Sequence, residues 1–149
     1  MKENPIDRSH PLFEYVHGFM HDQVCRHILS GGAPEVEEYL TFLLLDFLRT
    51  DKLFAIKDPS GQPLQSVIEM LGEADIRLNA TSFQREREVH KHVGDFILFW
   101  TGVAPTSLNR LRAQNVDLGL SYLRQGQESY YVVSTFDHSP YEGDAPICR

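Results

Sequence analysis

What the sequence has little of narrows its function first. Cysteine is scarce: the 149 residues hold two, Cys25 and Cys148, with no CxxC pair. That excludes a disulfide-dense secreted scaffold and a multi-cysteine zinc finger, and a reducing, cytoplasmic setting is the simplest expectation. A single Cys25–Cys148 disulfide stays open, with nothing in the spacing to favour it. Basic charge is short as well, with Lys+Arg 14 against Asp+Glu 21 and a formal net charge of -7. The densest basic group, Arg85, Arg87 and Lys91, is interleaved with Glu86 and Glu88. A general nucleic-acid binder is therefore not expected. No apolar run approaches the roughly 18 residues of a transmembrane helix, so a membrane is not an expected partner. The opening "MKENPIDRSHPLFEY" lacks the apolar segment of a secretory signal. Established catalytic motifs are missing too: there is no GxSxG, P-loop, GxGxxG, HExxH or repeated ExxH. The reading leans away from an enzyme.

What is present is helical periodicity. With 42% hydrophobic and 23% charged residues, the composition is that of an ordinary globular protein. A chain of this size suits one domain that buries about 68–70% of its unfolded surface. Leu12, Val16, Phe19, Met20, Val24 and Ile28 recur at three- and four-residue steps between Pro11 and Gly31–Gly32, which predicts a helix over about 11–30. Pro34 and three early glutamates open a second helix over about 34–50. A third covers about 63–77. A fourth, over about 82–103, has a capping box from Thr81 to Gln84. A fifth, over about 115–136, contains Gly119 and Gly126, each costing about 1 kcal/mol against alanine and best explained by a close helix neighbour. A short helical turn fits 106–112, and "KLFAIKDPSGQPL" is read as a loop or last helical turn around 58–61. The expected fold is an all-α, single-domain bundle of about five main helices over 1–149. Residues 1–10 form a loose leader. Residues 137–149 are a loose tail or the start of a helix that this chain does not continue, with Asp144 as its cap.

Two stretches, "LTFLLLDFL" (Leu40–Leu48) and "FILFW" (Phe96–Trp100), are apolar on every side of their helices. A helix hydrophobic all round must be covered all round, and a five-helix domain has one central place. The second such helix implies an interface, with Phe96, Phe99, Trp100, Phe42 and Leu45 as candidate contacts. The leading functional expectation follows: a non-enzymatic helical protein that acts by self-association, as a homodimer, or by docking a protein partner on an apolar helix face. That reading needs no cofactor.

Histidine supplies the alternative, a metal-binding helical bundle holding zinc or iron for hydrolytic or oxidative chemistry. His17, His21 and Cys25 share one helix face at steps of four. The outer two are about 12 Å apart along the axis, so all three cannot reach one ion. A site there needs His17 and His21 with ligands from another helix. On the fourth helix, Glu88, His92 and Asp95 share a face at steps of four and three, and the alternative joins them to His17 and His21. The competing reading is structural: Glu88–His92 as a surface pair worth about 0.2–0.5 kcal/mol, and Asp95 as a buried carboxylate paired with Arg77, Arg110 or His92. Cys25, alone in an apolar context, reads as an inert core thiol.

Overall fold

The computed structural model describes residues 7–75, 82–113 and 121–136, with only the backbone of 111–113. The expected capping residue Thr81, Arg77, Gly119, Cys148, the first six residues and the tail over 137–149 lie outside the described residues. The fold is all-α. Seven helices are seen among the described residues: α1 Pro11–His27, α2 Pro34–Phe47, α3 Thr50–Leu53, α4 Val67–Ala74, α5 Phe83–Val103, α6 Pro105–Ala113 and α7 Tyr122–Ser134. None of them is long and apolar enough to cross a membrane. The described residues fall into two compact units, divided between Arg49 and Thr50.

The first unit is the α1–α2 hairpin. Pro11 occupies the first turn of α1, where its missing N–H costs nothing, and the His10 side chain accepts from Leu12 N at 3.1 Å. The helix stops at His27, short of the expected residue 30. Part of the expected leader is ordered: Asp7 accepts from the backbone and hydroxyl of Ser9, and Arg8 pairs with Glu38 on α2. Pro34 begins α2 as expected, but Ala33 at its N-cap has no side-chain oxygen to give. Phe13 and Phe42 pack ring on ring at 5.0 Å between centroids.

In the second unit α5 packs against α4, α6 and α7. Its cap is Ser82, which accepts from Arg85 N at 3.1 Å, one residue after the expected Thr81. Pro63 does not open a helix. It pairs with Lys57 in an isolated antiparallel bridge, and the turn between them is pinned by Asp58 Oδ1, which accepts from Ser60 N, Ser60 Oγ and Gln62 N. Helix α4 therefore starts at Val67, capped by Ser66, which accepts from Glu69 N.

Close approach of α5 and α7 sets the centre of this unit. Gly126 faces Ile97, and a Cβ placed on it would lie 3.3 Å from Ile97 Cγ2. Gly94 faces the Tyr130 ring in the same way. Polar bonds line the seam. Tyr130 OH donates to Asp95 Oδ1 at 2.7 Å, Lys91 Nζ donates to Asp95 Oδ2 at 3.0 Å, and His90 Nδ1 lies 3.2 Å from Ser129 Oγ. Burial holds the pKa values of His90 and His92 below the ordinary imidazole range.

Candidate metal centre

The turn between α1 and α2 builds the one place among the described residues where three His, Cys, Asp or Glu side chains approach closely enough to share an ion. One donor atom each from His21, Cys25 and Glu37 lies within 4.8 Å of the others. His21 and Cys25 come from α1, one helical turn apart. Glu37 arrives because the chain reverses at Gly32, which has φ 76° and whose N–H donates to Leu29 O at 2.9 Å. That left-handed geometry favours glycine, and it drops the first turn of α2 beside the second half of α1.

Glu37 is the anchor. Its side chain is 3% exposed, so the carboxylate must be bonded on both sides to be tolerated. Oε1 accepts from Ala33 N at 2.8 Å, replacing the cap that Ala33 cannot make for itself. Oε2 lies 2.9 Å from His21 Nδ1. The backbone bond from Ala33 first, then the bond from His21, hold the Glu37 carboxyl below the usual carboxylate range despite its burial. The ionised carboxylate can only accept, so His21 Nδ1 must carry the hydrogen. In the neutral ring this leaves the lone pair on Nε2.

Cys25 Sγ lies 3.7 Å from that Nε2. Sulfur and imidazole nitrogen bound to one tetrahedral zinc, with bonds of about 2.3 and 2.0 Å, are about 3.5 Å apart. Sγ is also 3.9 Å from Nδ1, so it stands beside the ring and not along the Nε2 lone pair, and sharing one ion requires the Cys25 or His21 side chain to turn. A carboxylate that fixes the second nitrogen of a ligating histidine is a recurrent feature of such centres. The fit has a third element in Gly32. A Cβ there would stand 2.9 Å from Glu37 Oε1, 3.4 Å from Cys25 Sγ and 3.6 Å from His21 Cε1. Only a residue without a side chain leaves the space over the donors open.

The residues expected from the sequence are distributed differently. His21 belongs to the cluster. His17 stacks on Phe13, at 5.6 Å and 11° between planes, and its charge helps lower the Glu37 pKa from outside the cluster. Glu88 is exposed and accepts from Gln84. His92 is buried, hydrogen-bonded to the Leu53 backbone. Asp95 is buried and accepts from Lys91 and Tyr130. Glu88, His92 and Asp95 are not close enough to share an ion. Of the residues expected at an interface, Leu45, Phe96 and Phe99 are buried, and Phe42 and Trp100 are half-buried.

Glu37 is the residue that sequence reasoning missed, since a first-turn glutamate is normally explained by the helix dipole alone. The available signal was an alanine at the cap preceded by Gly31–Gly32, which leaves the α2 backbone in need of a carboxylate from within the helix. Cys25 was on the right face, one turn from His21 and near enough to share an ion with it, but the pair His17 and His21 was preferred. Compared with protein-family models, with curated proteins and with solved structures, the chain matches none of them.

Proposed function

We propose that this chain is a metal-binding helical protein that holds a divalent transition-metal ion of the zinc class on its α1–α2 hairpin. The observation that carries the reading is the convergence of His21, Cys25 and Glu37, one donor atom of each within 4.8 Å of the others, with Glu37 fixing the tautomer that leaves Nε2 able to ligate. Thiolate and imidazole together select zinc, cobalt or iron over magnesium and calcium. A cytoplasmic setting, where Cys25 stays reduced, belongs to this reading. Chain purified without an affinity tag, stripped with chelator and titrated with Co2+ is expected to bind it stoichiometrically, with a thiolate-to-cobalt charge-transfer band in the near ultraviolet. Cys25→Ser removes the band, and His21→Gln weakens binding by about 100-fold or more. Absence of stoichiometric cobalt in the native chain would sink the proposal.

A second reading keeps self-association or partner docking as the function. Its support is the stripe Leu12, Tyr15 and Phe19 on α1, which are 37%, 76% and 54% exposed at steps of three and four residues. Contiguous apolar surface of this kind is a mark of contact sites. Light scattering on a concentration series is expected to show a dimer that Phe19→Glu converts to monomer. A monomer at every concentration, with no change on substitution, removes this reading.

A further inference from the structure

The same cluster has a second chemistry that does not rest on the metal-binding reading. We infer that in the ion-free chain Cys25 is a modification site, where His21 takes the thiol proton and hydroperoxides oxidise the sulfur to a sulfenic acid. The sequence alone reads Cys25 as an inert core thiol, but in the fold it is only half-buried. Its Sγ lies 3.7 Å from His21 Nε2 and 3.9 Å from Nδ1, within reach of a weak S–H hydrogen bond. Behind the ring, His21 Nδ1 lies 2.9 Å from Glu37 Oε2, and the other oxygen of that carboxylate accepts from Ala33 N at 2.8 Å. Nucleophile, base and a third group that orients the base stand in sequence, which is the arrangement of an activated nucleophile.

The carboxylate sets the direction in which the proton moves. An ionised Glu37 can only accept, so Nδ1 carries the hydrogen and Nε2 keeps the lone pair that receives the thiol proton. Sγ stands beside the ring, and a turn of the Cys25 side chain about its one free bond brings the S–H to Nε2. Bonds of this kind are often long until the reactants are in place. The sulfur then attacks one peroxide oxygen and the O–O bond breaks. Sulfur loses two electrons and becomes S–OH, while the leaving oxygen takes the proton from Nε2 and departs as water or an alcohol. A hydroperoxide needs a nucleophile, a proton for its leaving oxygen and little room. His21 delivers that proton from a side chain 55% exposed, beside a bare Gly32 whose Cβ would stand 3.4 Å from Sγ.

The test uses the full chain stripped with chelator, with Cys148→Ser so that Cys25 is its one thiol. Hydrogen peroxide oxidises it, dimedone traps the sulfenic acid, and intact mass gives the rate. The native fold is expected to react about 100-fold faster than the same chain unfolded in urea at the same pH. His21→Ala loses that advantage, and added imidazole restores part of it, which a merely structural histidine would not show. Glu37→Gln slows the reaction and moves the ring hydrogen of His21 to Nε2, read from the nitrogen NMR shifts of the ring. Circular dichroism on the same samples confirms that the variants are folded. Equal rates in the folded and unfolded chain, a comparison that needs no variant at His21 or Glu37, overturn the inference. So does a folded His21→Ala that reacts as fast as the native chain. Cobalt binding, measured in parallel, keeps the two readings apart. A chain that binds cobalt without the rate advantage removes this inference alone, and a fast-reacting chain that binds no cobalt removes the metal-binding reading alone.

Discussion

Gly94→Val is expected to destabilise the unit that contains α5 by about 2–6 kcal/mol, measured by denaturant unfolding followed through Trp100, the chain's one tryptophan. A Cβ on Gly94 would stand 2.9 Å from Tyr130 Cε1 and 3.0 Å from Cδ1 and Cζ, so the ring must move. It cannot move cheaply, because its hydroxyl donates to Asp95 at 2.7 Å and Asp95 is buried. Overpacking contributes about 1–3 kcal/mol. Straining the bond to a buried carboxylate adds about 1–3 kcal/mol. A sharper form of the test uses alanine. Alanine favours a helix interior over glycine by about 0.8–1 kcal/mol, so Gly94→Ala should stabilise α5 once the ring is removed in Tyr130→Ala. With Tyr130 present the same change should destabilise. The reversal of sign reads the Gly94–Tyr130 contact directly. Equal effects in both backgrounds would falsify it.

The glycines also show where sequence reasoning reaches and where it stops. Gly126 in the middle of an otherwise regular helix is visible as a cost, and the cost implies a close neighbour. The neighbour is Ile97 on α5. Gly94 carries the same meaning but stood beside Asp95, which drew the attention to charge. Among the groups that bond Asp95, Lys91 was legible as an i, i+4 partner, whereas Tyr130 is 35 residues away and no local pattern announces it. Helix identity was legible because apolar periodicity spans many residues. Helix ends were less so, since each is set by one or two side chains: Ser82 in place of Thr81, and a Lys57–Pro63 bridge where a helix start was expected.

The two all-apolar helices raise a similar point. Five helices in one domain offer one central position, and from that constraint an interface was inferred. Among the described residues α2 and α5 fall in different compact units, divided between Arg49 and Thr50, a subdivision within the all-α domain that was not foreseen. A division of this kind leaves little trace in composition, because Leu48–Leu53 is no richer in glycine or proline than its surroundings. The candidate centre was half legible for a related reason. A four-residue step on one helix is a local pattern, but its third member arrives through a turn whose geometry depends on one positive φ at Gly32.

Phe96→Ala separates burial from interface at the residue where the two expectations diverge most. Phe96 is 1% exposed and is the largest of the fully buried side chains among the described residues. Its ring lies 6.4 Å from Phe54, 6.2 Å from His92 and 6.2 Å from Trp100, the last edge-on. Truncation to alanine therefore removes one side of an aromatic cluster that joins the end of α3 to the middle of α5. Phenylalanine-to-alanine changes in close-packed cores cost about 3–5 kcal/mol, and the gain in helix propensity returns about half a kcal/mol. The expected result is a stability loss of about 3–4 kcal/mol, read by denaturant unfolding, with a change in Trp100 emission as its edge contact disappears. Mass by light scattering is expected to stay as in the native chain, because a side chain with 1% of its surface exposed has almost nothing to offer a second molecule. If Phe96→Ala weakened association and left the unfolding midpoint in place, Phe96 would be a contact residue and the core assigned to α5 would be wrong.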